Sequence, residues 1–381
     1  MNKNNFDIAI FGNGITAKVM CLIANHCNMR FINIQQKEKK EEQRKDVRSL
    51  ALSSASKDML KILGVKIESQ QVEKMIVLEG GISNGKIKGK VTFDSKELDD
   101  HIAFISEYSL IKKSLDSCLE LNNKNSIKAE LKSINKTGNF SKVTFTNNVS
   151  INSRLNIFTE KLNSNLQKIT NVKYESSDYD QTAITTTLEH SKANKGYAYQ
   201  FFLANGPLAL LPLKKRKSKN FTSLVWTEKT NNALDILSKK GDLEKKLNEM
   251  CSLYLGKIKV SVEPVSFSLK RAICKSPLFD RNILVGDAVR SMHPLAGQAW
   301  NQSLRDLAYL ADALMESKKL GIDIISCPSL LSFNRKRKIE GDTYAEGISF
   351  INNIFKSESS LAKGLRRNLM KLVDNKGPLK S

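Results

Sequence analysis

The chain has 381 residues, 40% of them hydrophobic, and 61 basic against 39 acidic side chains give a net charge of +22. That length suits two domains or one large α/β domain with an insertion, and the apolar content excludes a disordered chain. The basic residues are scattered, with clusters at 37–45, 214–219 and 335–338 and no interleaved aromatics. No nucleic-acid partner is therefore expected, and attraction to an anionic membrane surface is the one use of the charge left open besides compositional drift.

The chain opens on an apolar run, 6–11 (FDIAIF), which predicts a buried strand. Next comes GNGITA at 12–17, a G-x-G-x-x-A turn, then a helix over 17–25 and a strand over 31–34. That β-α-β unit is where a dinucleotide's diphosphate rests on a helix N-terminus, with Gly12, Gly14, Ile15, Thr16 and Ala17 as its contacts. The acid expected at the end of the second strand is replaced by Gln35 or Gln36, which can bond a ribose hydroxyl only without charge assistance. Arg48 precedes a small apolar segment and is either a cofactor contact or a surface ion pair.

Ser53 or Ser54 should cap a helix ending at Gly64, with Leu60, Ile62 and Leu63 inward. Short strands are predicted over 72–89, a helix over 105–121, and strands onward to Phe158. Residues 183–226 are strand-rich, 235–255 read as helix, and 260–272 as a strand pair. From Ser329 the tail is basic and helical, with Phe333, Ile348, Phe350, Ile354 and Phe355 available to cover a core.

The stretch 282–301 (NILVGDAVRSMHPLAGQAWN) carries the most chemistry. A strand, Ile283 to Val285, ends in Gly286-Asp287; the carboxylate can accept bonds from ribityl or ribose hydroxyls, and the glycine lets the backbone come close. His293-Pro294 follows, and Pro294 can present a flat apolar face to a ring. Gly297, Gln298, Ala299, Trp300 and Asn301 lead into an amphipathic helix with Leu304, Leu307, Ala308, Ala311, Leu314 and Met315 on one face. The free amides at that helix start would favour an anionic ring edge. The bland alternative is an ordinary strand–loop–helix unit. The six cysteines are far apart without a C-x-x-C pair, and the four histidines are isolated. These suggest a reducing, cytoplasmic setting and no metal site. No apolar run nears the roughly 18 residues of a membrane helix.

GNGITA, DVRSLALSSAS, GPLALLPL at 206–213 and LVGDAVRSMHPLAGQAWNQSLRDLAYLADAL together resemble the class A flavin-dependent aromatic hydroxylases, in particular the polyprenylphenol hydroxylases of ubiquinone biosynthesis. The resemblance implies an α/β fold: a three-layer, Rossmann-like FAD-binding domain (1–70, 97–182 and 272–325), an inserted mixed β-sheet substrate domain (71–96 and 183–271) and a helical C-terminal region (326–381). It implies FAD, with Arg48 on the flavin side, Asp287 on the ribityl chain, Pro294 beside the ring and residues 297–301 at its pyrimidine edge. It further implies NAD(P)H as donor, a C4a-hydroperoxide, O2 and a polyprenylphenol as substrates, and a peripheral place on the inner membrane near other ubiquinone-biosynthesis proteins. Phe201, Leu210, Pro212 and His293 would wall the phenol pocket, with plain core packing as the alternative for each. Three positions depart from the family pattern: Gln35, Ala299 in place of a glycine, and Glu160-Lys161 where an Asp-Gly pair is usual. Together they motivate a second reading, a non-catalytic relative serving as a scaffold.

Overall fold

Continuous apolar strands with no polar face need cover on both sides, and the amino-terminal strand obeys that rule. In the computed structural model, which describes residues 4–36, 46–80, 89–97, 100–121, 125–239, 241–291, 299–333, 335–337, 339, 340 and 343, strand Asn5–Phe11 is central to an eight-stranded sheet. It runs parallel to Phe31–Gln35 on one side and Ser150–Phe158 on the other; Ser126–Lys128 and Asn282–Leu284 extend the parallel set. Side-chain alternation splits the packing. Ile8 and Ile10 meet helices Ile15–His26, Tyr108–Leu121 and Ala299–Leu320 on one face. Ala9 and Phe11 meet the antiparallel pair Leu131–Thr137 and Phe140–Phe145 and helix Ser164–Thr170 on the other. There Phe11 stacks on Phe158 with centroids 4.5 Å apart. The result is three layers, as expected.

A second sheet of nine strands is assembled from distant parts of the chain. Its longest strand, Tyr174–His190, lies between Lys219–Lys229 and Val265–Cys274, both antiparallel to it. Gly206–Arg216 and Tyr197–Leu203 continue outward, and Lys74–Glu79 joins the latter in parallel, so the sheet is mixed. Helices Thr230–Ser238 and Asp242–Leu255 cover one of its faces. A small sheet of Ser49–Leu52, Phe104–Glu107 and Gln70–Gln71 sits between the large ones, meeting the second through Val72, Ile105, Ala198 and Leu213.

Several local expectations are corrected. The helix expected from 105 starts at Tyr108, because Phe104–Glu107 is a strand paired with Ser49–Leu52. The helix expected over 235–255 is two helices, separated at Gly241, whose φ of +86° no other residue type adopts cheaply. Ser53, not Ser54, caps the helix Ser54–Ile62, its side chain accepting from the Ser56 amide. Ile62 and Met315, expected inward, are exposed. Strand Tyr174–His190 runs straight through the boundary expected at 182/183, and Val265–Cys274 through the one at 271/272. In the C-terminal region Phe333 joins the core as expected; Ile348, Phe350, Ile354 and Phe355 lie outside the described residues.

Candidate functional site

The turn after the first strand is shaped for close approach. Gly12 has φ +148°, and a Cβ there would lie 2.2 Å from Thr159 Oγ1. Helix Ile15–His26 begins immediately afterwards, with Gly14 as its N-cap and no side-chain cap. The two amides just ahead of its first turn are taken by the end of the neighbouring strand: one Glu160 carboxylate oxygen accepts from the Asn13 amide at 2.7 Å and the Gly14 amide at 2.5 Å. A helix N-terminus of this kind is an anion site. The rest of the turn is pinned by Asn13, whose side chain bonds both main-chain groups of Gln36.

The Gly286-Asp287 turn faces this cradle. Gly286 has φ +59°, and a Cβ on it would meet Ser303 Oγ at 2.7 Å and Thr16 Cγ2 at 3.5 Å. A side chain at 286 would thus run into both Thr16 of the amino-terminal helix and Ser303 of the carboxy-terminal one. The Gly286 amide donates to Asp306 at 2.9 Å. Asp306 is 1% exposed and is also paired with Arg290 at 3.4 Å and Arg337 at 2.6 Å. Asp287 lines the crevice with its carboxylate still open to solvent, yet densely surrounded by protein. That crowding pushes its carboxyl up to about 6; the Arg48 charge opposes the rise and the Glu160 charge adds to it.

Arg48 therefore belongs to the crevice as well as to a surface pair. It forks onto Asp46 and lies 4.8 Å over the Tyr108 ring. Tyr108 closes the same corner: a Cβ on Gly14 would stand 3.9 Å from its hydroxyl. Gln35, at the end of the second strand, turns its amide onto Asn33, and Asn33 bonds the carbonyls of Ile10 and Gly12. Ile15 and Ala17 are buried beneath the helix start, fixing its direction.

The remaining expected contacts divide. Asn301 clamps the helix Ala299–Leu320 to the small sheet, donating to the Ala51 carbonyl at 2.8 Å and accepting from the Ser53 amide at 3.1 Å. Trp300 is buried, and its indole N–H finds no partner among the described residues. Ala299 is exposed at the helix start. His293, Pro294, Gly297 and Gln298 lie outside the described residues.

Three of the expected pocket residues lie on the helix-covered face of the second sheet. Phe201 and Leu210 are packed with Leu243 and Leu247 beneath the covering helices, and Phe201 stands edge-on to Tyr254 at 5.4 Å. Pro212 is buried and, by strand alternation, shares their face. For these residues the core-packing alternative holds. The opposite face carries Ala209, Leu211 and Leu213, of which Leu211 and Leu213 pack toward the small sheet. Sequence patterning placed these residues on strands, and packing against the helices decides which face of the sheet they take. Patterning passed over Tyr108 and the role of Asp306; the G-D turn with an acid one helix turn beyond Gln302 was the available signal for the latter.

The site suits a dinucleotide flavin on its own evidence: two glycines leave a cradle that any side chain would fill, and the turn amides of Asn13 and Gly14 are aimed at an anionic oxygen. The comparisons agree. The FAD binding domain family matches residues 137–319. Ubiquinone hydroxylase UbiL of Rhodospirillum rubrum is 28% identical over 62% of this chain and 54% of its own length, so the aligned part is about half of that protein. The 3-demethoxyubiquinol 3-hydroxylase of Escherichia coli is 24% identical over 93% of this chain and 92% of its own. The crystal structure of p-nitrophenol 4-monooxygenase PnpA from Pseudomonas putida superposes with a TM-score of 0.77 at 14% identity, covering 99% of this chain and 96% of that one. The chain thus shares the fold of that monooxygenase, and nearly half of it matches the FAD binding domain family. Both sequence relatives are hydroxylases of ubiquinone or demethoxyubiquinol by name, and nothing favours the scaffold reading.

Proposed function

We propose that this chain is an FAD-dependent monooxygenase that hydroxylates the aromatic ring of a polyprenylphenol in ubiquinone biosynthesis, with NAD(P)H as electron donor and O2 as co-substrate. The observation that carries the reading is the convergence, in one crevice, of the turn amides of Asn13 and Gly14 at the helix start and the Asp287 carboxylate beyond a separate parallel strand. Such a crevice at the carboxyl ends of parallel strands is where doubly wound folds take nucleotides. Bound there, FAD supplies the redox chemistry.

The chain's own residues have separate tasks. Gly12, Gly14, Ile15, Thr16 and Ala17 receive the diphosphate, Gln35 meets the adenosine ribose, and Gly286 and Asp287 hold the ribityl chain. Arg48 lies toward the flavin ring, and the start of the helix Ala299–Leu320 borders it. The first sheet carries the cofactor and the open face of the second carries the phenol. Where that face meets the small sheet, Leu213, Ile105 and Phe221 line a cavity whose apolar wall keeps water from the reacting ring. The net charge of +22 supports peripheral contact with an anionic membrane, where a polyprenyl substrate is dissolved. No described helix is long and apolar enough to cross a membrane.

Purified protein reconstituted with FAD should consume NAD(P)H faster when a short-chain prenylphenol is added, and the phenol should gain one oxygen atom by mass spectrometry. Reconstituted protein that binds FAD yet leaves every such phenol unaltered contradicts the substrate assignment.

A further inference from the structure

The cavity between the small sheet and the second sheet has a volume of about 510 Å³. It adjoins the crevice. Glu107 and Ser109 line it on either side of Tyr108, which closes the crevice corner. Asp46 lines it too, and its carboxylate holds Arg48, whose charge acts on Asp287. The charges of its wall run against those of the chain. The protein carries 61 basic and 39 acidic side chains, yet the wall holds three acids, Asp46, Glu68 and Glu107, against two bases, Lys214 and Arg216. Both bases are engaged already. Lys214 lies 3.5 Å from Glu68, while Arg216 is paired with Glu107 and stands over the Phe221 ring at 5.6 Å. Arg48, beside the wall, forks onto Asp46. Among the described residues, the lining thus offers no cation without a carboxylate partner.

We propose that this wall selects its substrate by charge: the cavity takes a phenol whose ring bears no carboxylate and rejects the corresponding hydroxybenzoate. The inference rests on the hydroxylase reading above and narrows its substrate class. An uncharged phenol can donate its O–H to a carboxylate of the wall while its ring lies on Leu213 and Phe221. A ring carboxylate instead meets a surplus of negative charge. To gain a partner it must take Lys214 from Glu68 or Arg216 from Glu107, and either exchange strands an acid of the wall beside the new one. Glu107 is the costlier acid to strand, its side chain being 18% exposed against 58% for Glu68. The surplus of acid is not a product of the chain's composition, which would favour the opposite sign.

The test titrates FAD-loaded protein at neutral pH with three short-chain ligands, by calorimetry and flavin absorbance. They are a 2-prenylphenol, the 4-hydroxy-3-prenylbenzoate that differs from it by one carboxylate, and the methyl ester of that acid. Wild type should bind the phenol and the ester about tenfold or more tighter than the acid. Glu107→Gln releases Arg216, and Glu68→Gln releases Lys214 at the more exposed pair. Each should narrow the gap, chiefly by tightening the acid, and the second variant covers a failure of the first to fold. Equal or tighter binding of the acid by wild type overturns the inference. An ester bound as poorly as its acid also overturns it, because size and not charge would then be the bar. A gap unchanged in both variants does the same, since the selection would come from other groups. If none of the three ligands perturbs the bound flavin or gains oxygen, the polyprenylphenol reading itself falls, and this inference with it.

Discussion

At the scale of single residues, the site is built by two glycines and two acids whose surroundings give them different tasks. Asp287 is ringed by protein and its carboxyl is pushed up to about 6 from 3.8. In the folded protein it holds its proton more tightly than in the unfolded chain. The apoprotein therefore loses stability as pH rises from about 4 to 6 and carries the full penalty above 6. Asp287→Asn should raise the apoprotein melting temperature at pH 7.5, with the difference fading toward pH 4, while weakening FAD binding about ten- to hundredfold. A variant that melts lower at pH 7.5 and binds FAD unchanged contradicts both assignments. Gly286→Ala meets a different obstacle, a left-handed φ of +59° and a Cβ 2.7 Å from Ser303 Oγ. Chemical denaturation should find it less stable by about 1–3 kcal/mol. A loss within error would mean that the turn and the carboxy-terminal helix can separate freely.

At the scale of elements, the amino-terminal strand, turn, helix and strand were legible within a residue or two, because a buried parallel strand and a G-x-G-x-x-A turn each leave a local imprint. The same holds for Gly286-Asp287 and the helix after it. Less legible were features decided across the sheet. Phe201 and Leu210 alternate with their neighbours, and nothing local says which face meets the helices and which the crevice; packing against Leu243 and Leu247 decides it. The strand Phe104–Glu107 was hidden because its partner Ser49–Leu52 lies over fifty residues earlier. Asp306 was likewise invisible as an anchor, since its partners Gly286, Arg290 and Arg337 come from three elements. Its two oxygens serve both guanidinium groups and the turn amide in a buried place. Asp306→Ala should destabilise the protein by about 3–5 kcal/mol in urea titration, because two buried positive charges lose their counter-ion. It should also weaken FAD by loosening the turn. Wild-type stability in that variant would show the ion cluster to be incidental.

At the scale of the whole molecule, a largely parallel sheet that carries the proposed cofactor crevice and a mixed sheet are joined through the small sheet and the helix Ala299–Leu320. The strongly positive charge is spread over that assembly. Flotation with vesicles rich in anionic lipid should carry the protein upward at low salt and release it as salt rises, since exposed charges are screened over about 10 Å at 0.1 M. Absence of any salt-sensitive association removes the membrane assignment and leaves the site intact. The central claim is that the crevice between Gly12–Gly14 and Asp287 seats FAD. Calorimetric titration of the apoprotein with FAD tests it most directly. One FAD per chain, bound more weakly by Asp287→Asn, is the predicted result; no saturable binding by the folded wild-type protein would contradict it.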